Sequence, residues 1–233
     1  MTRPGRASGG ALLAGAVWCG PGAAAHLPPL AAALGVPLTA PRAQGVSLTF
    51  DDGPHPDGTP AVLEALERAQ APATFFLVGE QVERYPELAR ELAARGHEVA
   101  VHGFRHRNQM RLTPRMFAAD LRRATAIIAD TCQVQPRLYR PPYGIFTLFG
   151  LAQVRRAGLM PLLWSKWALD WRARFSAAQL ARLATRGARD GDVVLLHDAD
   201  WYSRQGSHRF TAAAVEPIVA ELGRRGLRAV SPV

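Results

Sequence analysis

Short apolar runs alternate with longer amphipathic segments along the chain from residue 46 onward. The runs are rich in β-branched and aromatic residues, which is typical of buried strands. They cover residues 46–50, 73–78, 97–101, 137–140, 159–164, 192–196 and 227–231. Because helical patterns separate most of these runs, the sequence predicts an α/β fold with a parallel sheet covered by helices. Closure of the sheet into a barrel is favoured over an open sheet, although periodicity alone does not distinguish the two.

Proline marks where several predicted helices begin. Thr59-Pro60 and Thr113-Pro114 each place a capping Thr before a Pro at the first helical position, and Pro86 opens a helix that ends before Gly96. Further helices are predicted at Leu148–Ala157, Ala177–Arg186 and Ala212–Arg225.

Residues 1–45 differ in composition from the rest of the chain and are predicted to be an N-terminal extension. Arg3 and Arg6 precede the apolar run ALLAGAVW at 11–18, an order that resembles a secretory signal. The run is far shorter than a membrane span. We therefore expect a signal or a weak membrane anchor followed by a linker, or alternatively an extension packed on the domain. The domain itself is predicted to span residues 46–233.

The net charge of +9 and the pI near 10.8 suit a nucleic-acid-binding protein at first sight. However, Lys166 is the only lysine, and the arginines are scattered along helical patterns without interleaved aromatic residues. Nucleic acid is therefore not expected as a partner: a general bias toward arginine is the favoured explanation of the charge, and attraction to anionic polymers of a cell envelope is an alternative. Cys19 and Cys132 lie far apart, which excludes a disulfide framework and a cysteine-based metal site and leaves a single disulfide open.

Ionisable side chains fall at or just beyond the ends of most predicted strands. They are Asp51, Asp52, His102, Arg140, Asp170 and His197. In parallel α/β folds the carboxyl ends of the strands share one face, and active sites form there. These side chains are therefore expected to converge if the sheet curls into a barrel.

The segment HGFRH places His102 and His106 four residues apart, so on one helical turn both imidazoles would face the same way. Alone this is a weak signal, and two core or surface histidines are the more common explanation. Two His and one carboxylate suit Zn²⁺ or another first-row divalent ion, and Asp51 and Asp52 are the nearest carboxylates by position at a strand end. One can bind the metal while the other takes a proton from water. The histidines without such a context, which we predict to lie at the surface or in loops, are His26, His55, His97 and His208.

Five short motifs follow one another in a definite order. They are TFDDGP (49–54), HGFRH (102–106), RPPYG (140–144), LDW (169–171) and LLHD (195–198). They resemble the motifs of the polysaccharide deacetylase family, the NodB-like carbohydrate esterases of carbohydrate esterase family 4. The resemblance covers residues 46–233 and implies a NodB homology domain, a distorted (β/α) barrel often built from seven strands.

The resemblance also implies roles for the residues that match the motifs. Asp51 would be the catalytic base, and Asp52 would bind the metal together with His102 and His106. Arg140 would hold and tune Asp51. Asp170 would in turn orient Arg140.

The remaining motif residues would surround the reacting amide. The backbone N–H of Tyr143 would stabilise the oxyanion, and His197 would protonate the leaving amine. Trp171 and Leu195 would wall the pocket for the acetyl methyl group, although both residue types are also common in a plain core. Other aromatic residues near this face, Trp164, Trp167, Trp201 and Tyr202, would suit stacking on sugar rings.

Two motifs depart from the family pattern. Gly103 stands where the family usually has a Ser or Thr that braces the loop, and Lys166 and Trp167 stand in a fourth motif that usually carries an upstream Asp. The chain is nonetheless expected to be a metal-dependent hydrolase that removes N-acetyl groups from a peptidoglycan or chitin-like glycan. The alternatives are an acetyl-xylan esterase, a sugar deformylase and a catalytically silent glycan-binding module. Zinc is the expected ion, with cobalt or another first-row divalent ion as alternatives, and the cell envelope or the exterior is the expected location, with the cytoplasm as the alternative. The sequence does not determine the oligomeric state.

Overall fold

The computed structural model describes residues 27–40, 43–172 and 175–232. The predicted signal or anchor at 11–18, with Cys19 and His26, lies outside these residues. Among the helices of the described ranges, none is both long and apolar enough to cross a bilayer.

A sheet of seven parallel strands forms the centre of the fold. The strands are β1 (Ser47–Asp51), β2 (Thr74–Leu77), β3 (Glu98–Val101), β4 (Leu138–Tyr139), β5 (Met160–Pro161), β6 (Lys166–Trp167) and β7 (Val193–His197). Their spatial order is β5-β4-β3-β2-β1-β7-β6, so the sheet curls into a barrel whose two edge strands are β5 and β6. The predicted α/β fold with a distorted barrel of seven strands is confirmed.

Two strand predictions differ from the structure. The run at 227–231 is not a strand, because it forms only an isolated bridge between Val46 and Ala229. Both edges of β1 are already occupied by β2 and β7, so this run can pair only with the residue that precedes Ser47. The seventh strand is instead β6, which the apolar pattern missed because it contains Lys166.

Helices cover the sheet. They are α1 (Pro28–Ala33), α2 (Gly58–Arg68), α3 (Gly79–Arg84), α4 (Pro86–Ala94), α5 (Pro114–Cys132), α6 (Leu148–Arg156), α7 (Ala177–Thr185) and α8 (Ser207–Arg224), with short 3₁₀ turns at Gln109–Arg111 and Pro142–Gly144. Each of the helices α2, α4, α5, α6, α7 and α8 buries one apolar face against the sheet or a neighbouring helix.

The predicted threonine caps at the helix starts are confirmed in part. Thr113 caps α5, since its Oγ1 accepts a hydrogen bond from the N–H of Met116 at 3.3 Å. Thr59 does not cap α2, which already begins at Gly58. Its hydroxyl is used by the active face instead: it accepts from the N–H of His55 at 2.8 Å and donates to Asp198.

The segment before β1 packs against the domain. Val36 and Ala40 are buried in the common core. The N–H of Ala40 donates to the carbonyl of Gly191 at 2.7 Å, and the carbonyl of Pro37 accepts from Leu163 at 2.9 Å. The described part of the predicted linker therefore covers the barrel near β5 and β7.

Candidate active site

The first motif lies at the carboxyl end of β1, an interior strand of the sheet. Asp51 is the last residue of β1 and pairs in register with Phe76 of β2 and His197 of β7. Asp52 adopts a left-handed backbone with φ of 80°, a conformation that Asp tolerates better than most residues. The abrupt turn gives the two adjacent carboxylates different surroundings, although both are buried.

Asp52 faces the two histidines of the second motif. Its Oδ1 lies 3.4 Å from Nε2 of His102 and 3.3 Å from Nε2 of His106. The segment that carries these histidines is an irregular loop rather than the predicted helical turn, with Gly103 at φ of 85°. The loop, not helical spacing, brings the two rings to a centroid distance of 5.3 Å.

The loop is braced from outside the motif. The carboxylate of Asp120 on α5 accepts the backbone N–H groups of Phe104 at 2.7 Å and of Arg105 at 3.4 Å. This support was not predicted, because nothing in the sequence links Asp120 to a motif 16 residues before it. Asp120 therefore provides a brace in a loop where Gly103 has no hydroxyl to offer.

The donor set formed by Asp52, His102 and His106 fits a divalent cation. Candidate ligand atoms of the three residues all lie within 4.8 Å of one another. Oδ1 of Asp52 is buried and, within the part of the chain that the structure describes, has no hydrogen-bond partner. A buried carboxylate oxygen is costly to leave unpaired, and a cation would satisfy it.

Protonation also favours a metal at this position. Burial raises the pKa of Asp52, but the nearby imidazoles of His102, His106 and His197 outweigh burial and lower it to about 2. Burial lowers the pKa of His106 to about 4, against the opposing charge of Asp52. An ionised carboxylate beside a neutral imidazole is the state in which both can bind a metal.

Asp51 is held by Arg140. One of its oxygens, Oδ1, accepts from the guanidinium at 2.6 Å, and the other lies 3.8 Å from Nε2 of His102. Arg140 is fully buried and also donates to Oγ1 of Thr49 at 2.8 Å. Thr49 and Asp51 are two residues apart on β1 and so face the same side of the sheet, a signal in the sequence that could have identified Thr49.

Two backbone carbonyls complete the surroundings of Arg140. Nε donates to Leu162 at 3.2 Å and Nη2 donates to Leu163 at 2.8 Å. The guanidinium also lies 3.9 Å from the ring centroid of Phe76. Burial lowers the pKa of Arg140, and the charge of Asp51 opposes that shift.

Asp170 does not orient Arg140, as the family resemblance implied. Its Oδ1 lies 3.1 Å from Nδ1 of His197, and its Oδ2 accepts the N–H of His197 at 2.7 Å and the hydroxyl of Thr211 at 2.8 Å. Asp170 lies beside β7, where His197 can reach both its oxygens, while the guanidinium of Arg140 is engaged by Asp51, Thr49 and two carbonyls. Asp170 is therefore the partner of His197.

This pairing keeps His197 charged. Burial lowers the pKa of His197, but the carboxylate of Asp170 and the more distant Asp52 and Asp51 outweigh burial and raise it to about 9. The imidazole therefore carries a proton at neutral pH and can donate one.

A pocket of about 280 Å³ opens above these groups. Its walls include Trp171 and Leu195, as the resemblance implied, and Tyr143, whose φ is 61°. Trp171 meets the ring of His197 edge-on at 5.1 Å. A second groove of about 590 Å³ shares Tyr143 and His106 with the pocket. The candidate site therefore extends along the surface beyond the pocket itself.

The wider aromatic prediction holds in part. Trp164, Trp167 and Tyr202 line the pocket, and Trp164 is also buried in the core. Trp201 is not part of that wall: it packs 4.5 Å from the ring of His55 and donates its Nε1–H to the carbonyl of Pro54 at 3.2 Å.

His208 is buried and lies in α8, so its prediction as a surface or loop residue is wrong, whereas His55 does lie in a loop, although a buried one. They flank the carboxylate of Asp200, at 3.1 Å from Nε2 of His55 and 3.2 Å from Nδ1 of His208. Nδ1 of His55 accepts the N–H groups of Asp57 and Gly58, so the neutral ring carries its proton on Nε2 and has no lone pair there for a metal. The cluster is better explained as a hydrogen-bonded anchor for the loop after β7.

Asp198 packs against the turn of the first motif. Burial raises its pKa to about 7, and its carboxyl accepts the hydroxyl of Thr59 and lies against Gly53. A side chain at Gly53 would meet this carboxyl, so Gly is needed there for close approach rather than for an unusual φ.

Comparison with known proteins agrees with this geometry. A family model described as polysaccharide deacetylase matches residues 39–162. A chitooligosaccharide deacetylase of Bradyrhizobium sp. is 42% identical over 156 residues, which cover 66% of this chain and 71% of the relative. A peptidoglycan-N-acetylglucosamine deacetylase of Bacillus cereus is 33% identical over 189 residues, covering 80% and 85%. Among solved structures, the Bc1960 peptidoglycan N-acetylglucosamine deacetylase superposes with a TM-score of 0.76 at 28% identity, covering 82% of this chain and 87% of that one.

Proposed function

This chain belongs to the polysaccharide deacetylase family, and from that premise we propose that it hydrolyses the N-acetyl groups of an amino-sugar glycan with the help of a divalent ion. The observation that carries the proposal is the separation of two adjacent carboxylates. Asp52 faces two imidazoles, whereas Asp51 is held by a buried guanidinium. A turn with only a structural role has no need for these two distinct environments.

The ion is proposed to be zinc, bound by Asp52, His102 and His106, because two imidazoles and one carboxylate form a common zinc donor set. Cobalt or another first-row divalent ion would suit the same donors. When bound, such a cation supplies Lewis acidity, which polarises the amide carbonyl and lowers the pKa of a neighbouring water.

Asp51 is proposed as the general base. Arg140 binds Oδ1, which leaves Oδ2 directed toward the side of His102, where the attacking water would lie. The fixed carboxylate removes a proton from that water as it attacks the acetyl carbonyl carbon. Asp51 and Asp52 are adjacent residues. A water and a substrate carbonyl that lie beside Asp52 would therefore also lie near the carboxylate of Asp51.

The charge that develops on the carbonyl oxygen is proposed to be stabilised by the backbone N–H of Tyr143. Tyr143 lines the pocket and is held with φ of 61°, an uncommon conformation for a residue with a side chain. Trp171 and Leu195 would then enclose the acetyl methyl group, since both belong to the apolar part of the same wall.

His197 is proposed as the general acid. Its raised pKa, about 9, keeps the imidazole protonated at neutral pH, and Asp170 fixes the ring through Nδ1. Nε2 can then deliver its proton to the sugar nitrogen as the carbon–nitrogen bond breaks. The released amine and acetate balance the addition of one water.

The substrate is proposed to be a peptidoglycan or chitin-like chain. The named relatives act on chitooligosaccharide and on peptidoglycan N-acetylglucosamine, and the groove that adjoins the pocket offers space for neighbouring sugars. The aromatic wall formed by Trp167 and Trp171 suits the apolar faces of sugar rings. For such a substrate we also propose a location in the cell envelope or outside the cell, which fractionation of cells that express the full chain would test; recovery only in the cytoplasm would contradict it.

Acetate release decides between the candidate functions. The protein is incubated with acetylated chito-oligomers, peptidoglycan or acetyl-xylan, with and without a chelator, and a formylated amino sugar is assayed for formate. We expect chelator-sensitive acetate release from the first or the second substrate. Release only from acetyl-xylan would favour an esterase, formate alone would favour a deformylase, and binding without release would favour a silent glycan-binding module.

Two variants test the separate roles of the carboxylates. Asp51→Asn should abolish turnover and keep the metal, because Asp51 is not one of the proposed ligands. Asp52→Ala should lose the metal, which is measured by elemental analysis of the purified protein after dialysis. Loss of metal from Asp51→Asn would show that this division of roles is wrong.

A further inference from the structure

The two histidines of the proposed metal site are supported in different ways. A metal-binding imidazole usually has its second ring nitrogen held by an oxygen acceptor, which fixes the ring and its tautomer. His102 has this support, since its Nδ1 lies 2.8 Å from the carbonyl of Arg140. Nδ1 of His106 is buried and has no hydrogen-bond partner among the described residues. The orientation of His106 must therefore come from packing.

Tyr202 provides the closest packing contact of this ring. The rings of His106 and Tyr202 are nearly parallel, with centroids 4.2 Å apart and an interplanar angle of 9°. Tyr143 meets the same imidazole edge-on at 4.5 Å, but its own side chain is 55% exposed. A parallel contact restricts both the tilt and the sliding of the imidazole, whereas an exposed ring at the edge restricts it less.

The Tyr202 ring is itself held from the opposite side of the pocket. Its hydroxyl donates to Oε1 of Glu80 at 3.0 Å and accepts from Nε2 of Gln81 at 3.1 Å. Both partners lie on α3, directly after β2, whereas Tyr202 lies in the loop after β7. The side chain thus connects α3 with the loop after β7 beside His106.

The loop that carries Tyr202 is anchored on both sides of it. Asp200 accepts the N–H of Gly206 at 2.5 Å and is flanked by His55 and His208. Trp201 donates to the carbonyl of Pro54 in the turn of the first motif. A loop fixed in this way can hold an aromatic ring against a ligand with little loss of entropy when the metal binds.

We propose that Tyr202 is a positioning residue for the metal site: its ring, fixed by Glu80 and Gln81, sets the orientation of His106 by stacking, in place of a hydrogen bond to Nδ1. The inference rests on the proposed function, because it assumes that His106 binds the ion. It assigns a role in metal affinity to a residue outside the five motifs. Its main consequence is that removal of the ring weakens metal binding before any substrate is added.

The test compares three variants by metal affinity. Tyr202→Leu removes the stacked ring, Tyr202→Phe keeps the ring without its hydroxyl, and Tyr85→Leu is the matched control. Tyr85 also stacks on an aromatic side chain, Trp201, at 6.0 Å and 12°, but that partner is not a proposed ligand. Zinc dissociation constants are measured by competition with a chromophoric chelator on the full chain, and thermal melts of the metal-free proteins verify folding.

We expect Tyr202→Leu to weaken zinc binding by about 10–100-fold, the usual effect of losing the support of a metal-bound His. Tyr202→Phe should retain most of the affinity, and Tyr85→Leu should match the wild type. The visible spectrum of the cobalt-loaded protein should change for Tyr202→Leu and not for Tyr85→Leu, because only the former alters the ligand geometry.

Several outcomes would overturn the inference. They are an unchanged zinc affinity in Tyr202→Leu, an equal loss in Tyr85→Leu, or a loss in Tyr202→Phe as large as in Tyr202→Leu, which would assign the effect to the hydroxyl. Failure of the proposed function is distinguishable: the wild type itself would then bind no zinc. If Tyr202→Leu does not fold, Tyr202→Gln replaces it, because it also removes the ring but keeps a polar side chain beside Glu80 and Gln81. It should weaken zinc binding as Tyr202→Leu would, and an unchanged affinity in a folded Tyr202→Gln would overturn the inference.

Discussion

Replacement of Arg140 should be among the most damaging single changes to the stability of this protein. Its guanidinium is fully buried and donates to four acceptors: Asp51, Thr49 and the carbonyls of Leu162 and Leu163. Arg140→Met leaves the buried carboxylate without its cation, and breaking a buried ion pair in this way costs about 3–5 kcal/mol. Each carbonyl that loses its donor adds about 1–3 kcal/mol.

The sum approaches the whole stability of an ordinary domain, about 5–15 kcal/mol, so we expect Arg140→Met to be too unstable for an unfolding measurement, and a milder variant is needed. Arg140→Lys keeps the charge, but one ammonium cannot reach acceptors on opposite sides. It should lose at least two of the four hydrogen bonds, which costs about 2–6 kcal/mol. Arg137→Met is the matched control, because Arg137 precedes the same strand and its pair with Glu98, at 3.1 Å, is largely exposed. That variant should cost less than about 1 kcal/mol.

The assay is urea unfolding of the metal-free proteins, since a bound ion would add its own stabilisation. The double variant Asp51→Asn with Arg140→Lys should be more stable than the sum of the single changes predicts, because both single changes weaken the same guanidinium–carboxylate hydrogen bond and the double variant loses it only once. If Arg140→Lys cost no more than Arg137→Met, or if the two changes at Asp51 and Arg140 were additive, the buried pair would not have the energetic role argued here.

Other parts of the fold allow shorter predictions. Asp170→Asn should lower the pKa of His197 from about 9, which an NMR titration would measure. The Asp170–His197 pair stabilises the folded protein fully below about pH 6.5, and this stabilisation is lost as the pH rises through about 9. The difference in unfolding free energy between wild type and variant should therefore shrink over that interval. Gly58→Ala should destabilise the protein by about 1–3 kcal/mol, because a Cβ there meets a backbone oxygen of the segment after β7, whereas Gly223→Ala, with open space around it, should not, as paired thermal melts would show. Burial raises the pKa of Cys132 to about 11, so its thiol should react with a thiol reagent far more slowly in the native protein than in urea, and equal rates would contradict the burial.

The strands and the reacting groups were predictable from the sequence because both depend on local patterns. An apolar run that ends in Asp51 predicts a buried strand with polar chemistry at its carboxyl end, and His102, Arg140 and His197 repeat that pattern. Parallel strands bring their carboxyl ends to one face of the sheet, however the surrounding helices are arranged. The approximate position of the site therefore follows from the fold class.

The supporting residues were not predictable in the same way, because contacts between distant segments determine them. Thr211 on α8 reaches Asp170, and Asp120 on α5 holds the loop of the second motif. Neither residue has a local pattern that distinguishes it from an ordinary helical polar residue. The burial of His55 and His208 was missed for a related reason: each looks like an isolated histidine in the sequence, and only the fold places Asp200 between them.

The Asp170 correction shows how the sheet order decides which charges pair. β1 lies between β2 and β7, so Asp51 has Arg140 on the side of β2–β5 and His197 on the side of β7. Arg140, at the end of β4, is engaged by the carbonyls of Leu162 and Leu163 after β5, and its charge is directed to Asp51. Asp170 follows β6 and can reach only the neighbouring β7, which places it on His197. The proposed base and the proposed acid are thus supported from opposite sides of β1. Asp51 obtains its counter-charge from Arg140, which follows β4, and His197 obtains its counter-charge from Asp170, which follows the edge strand β6.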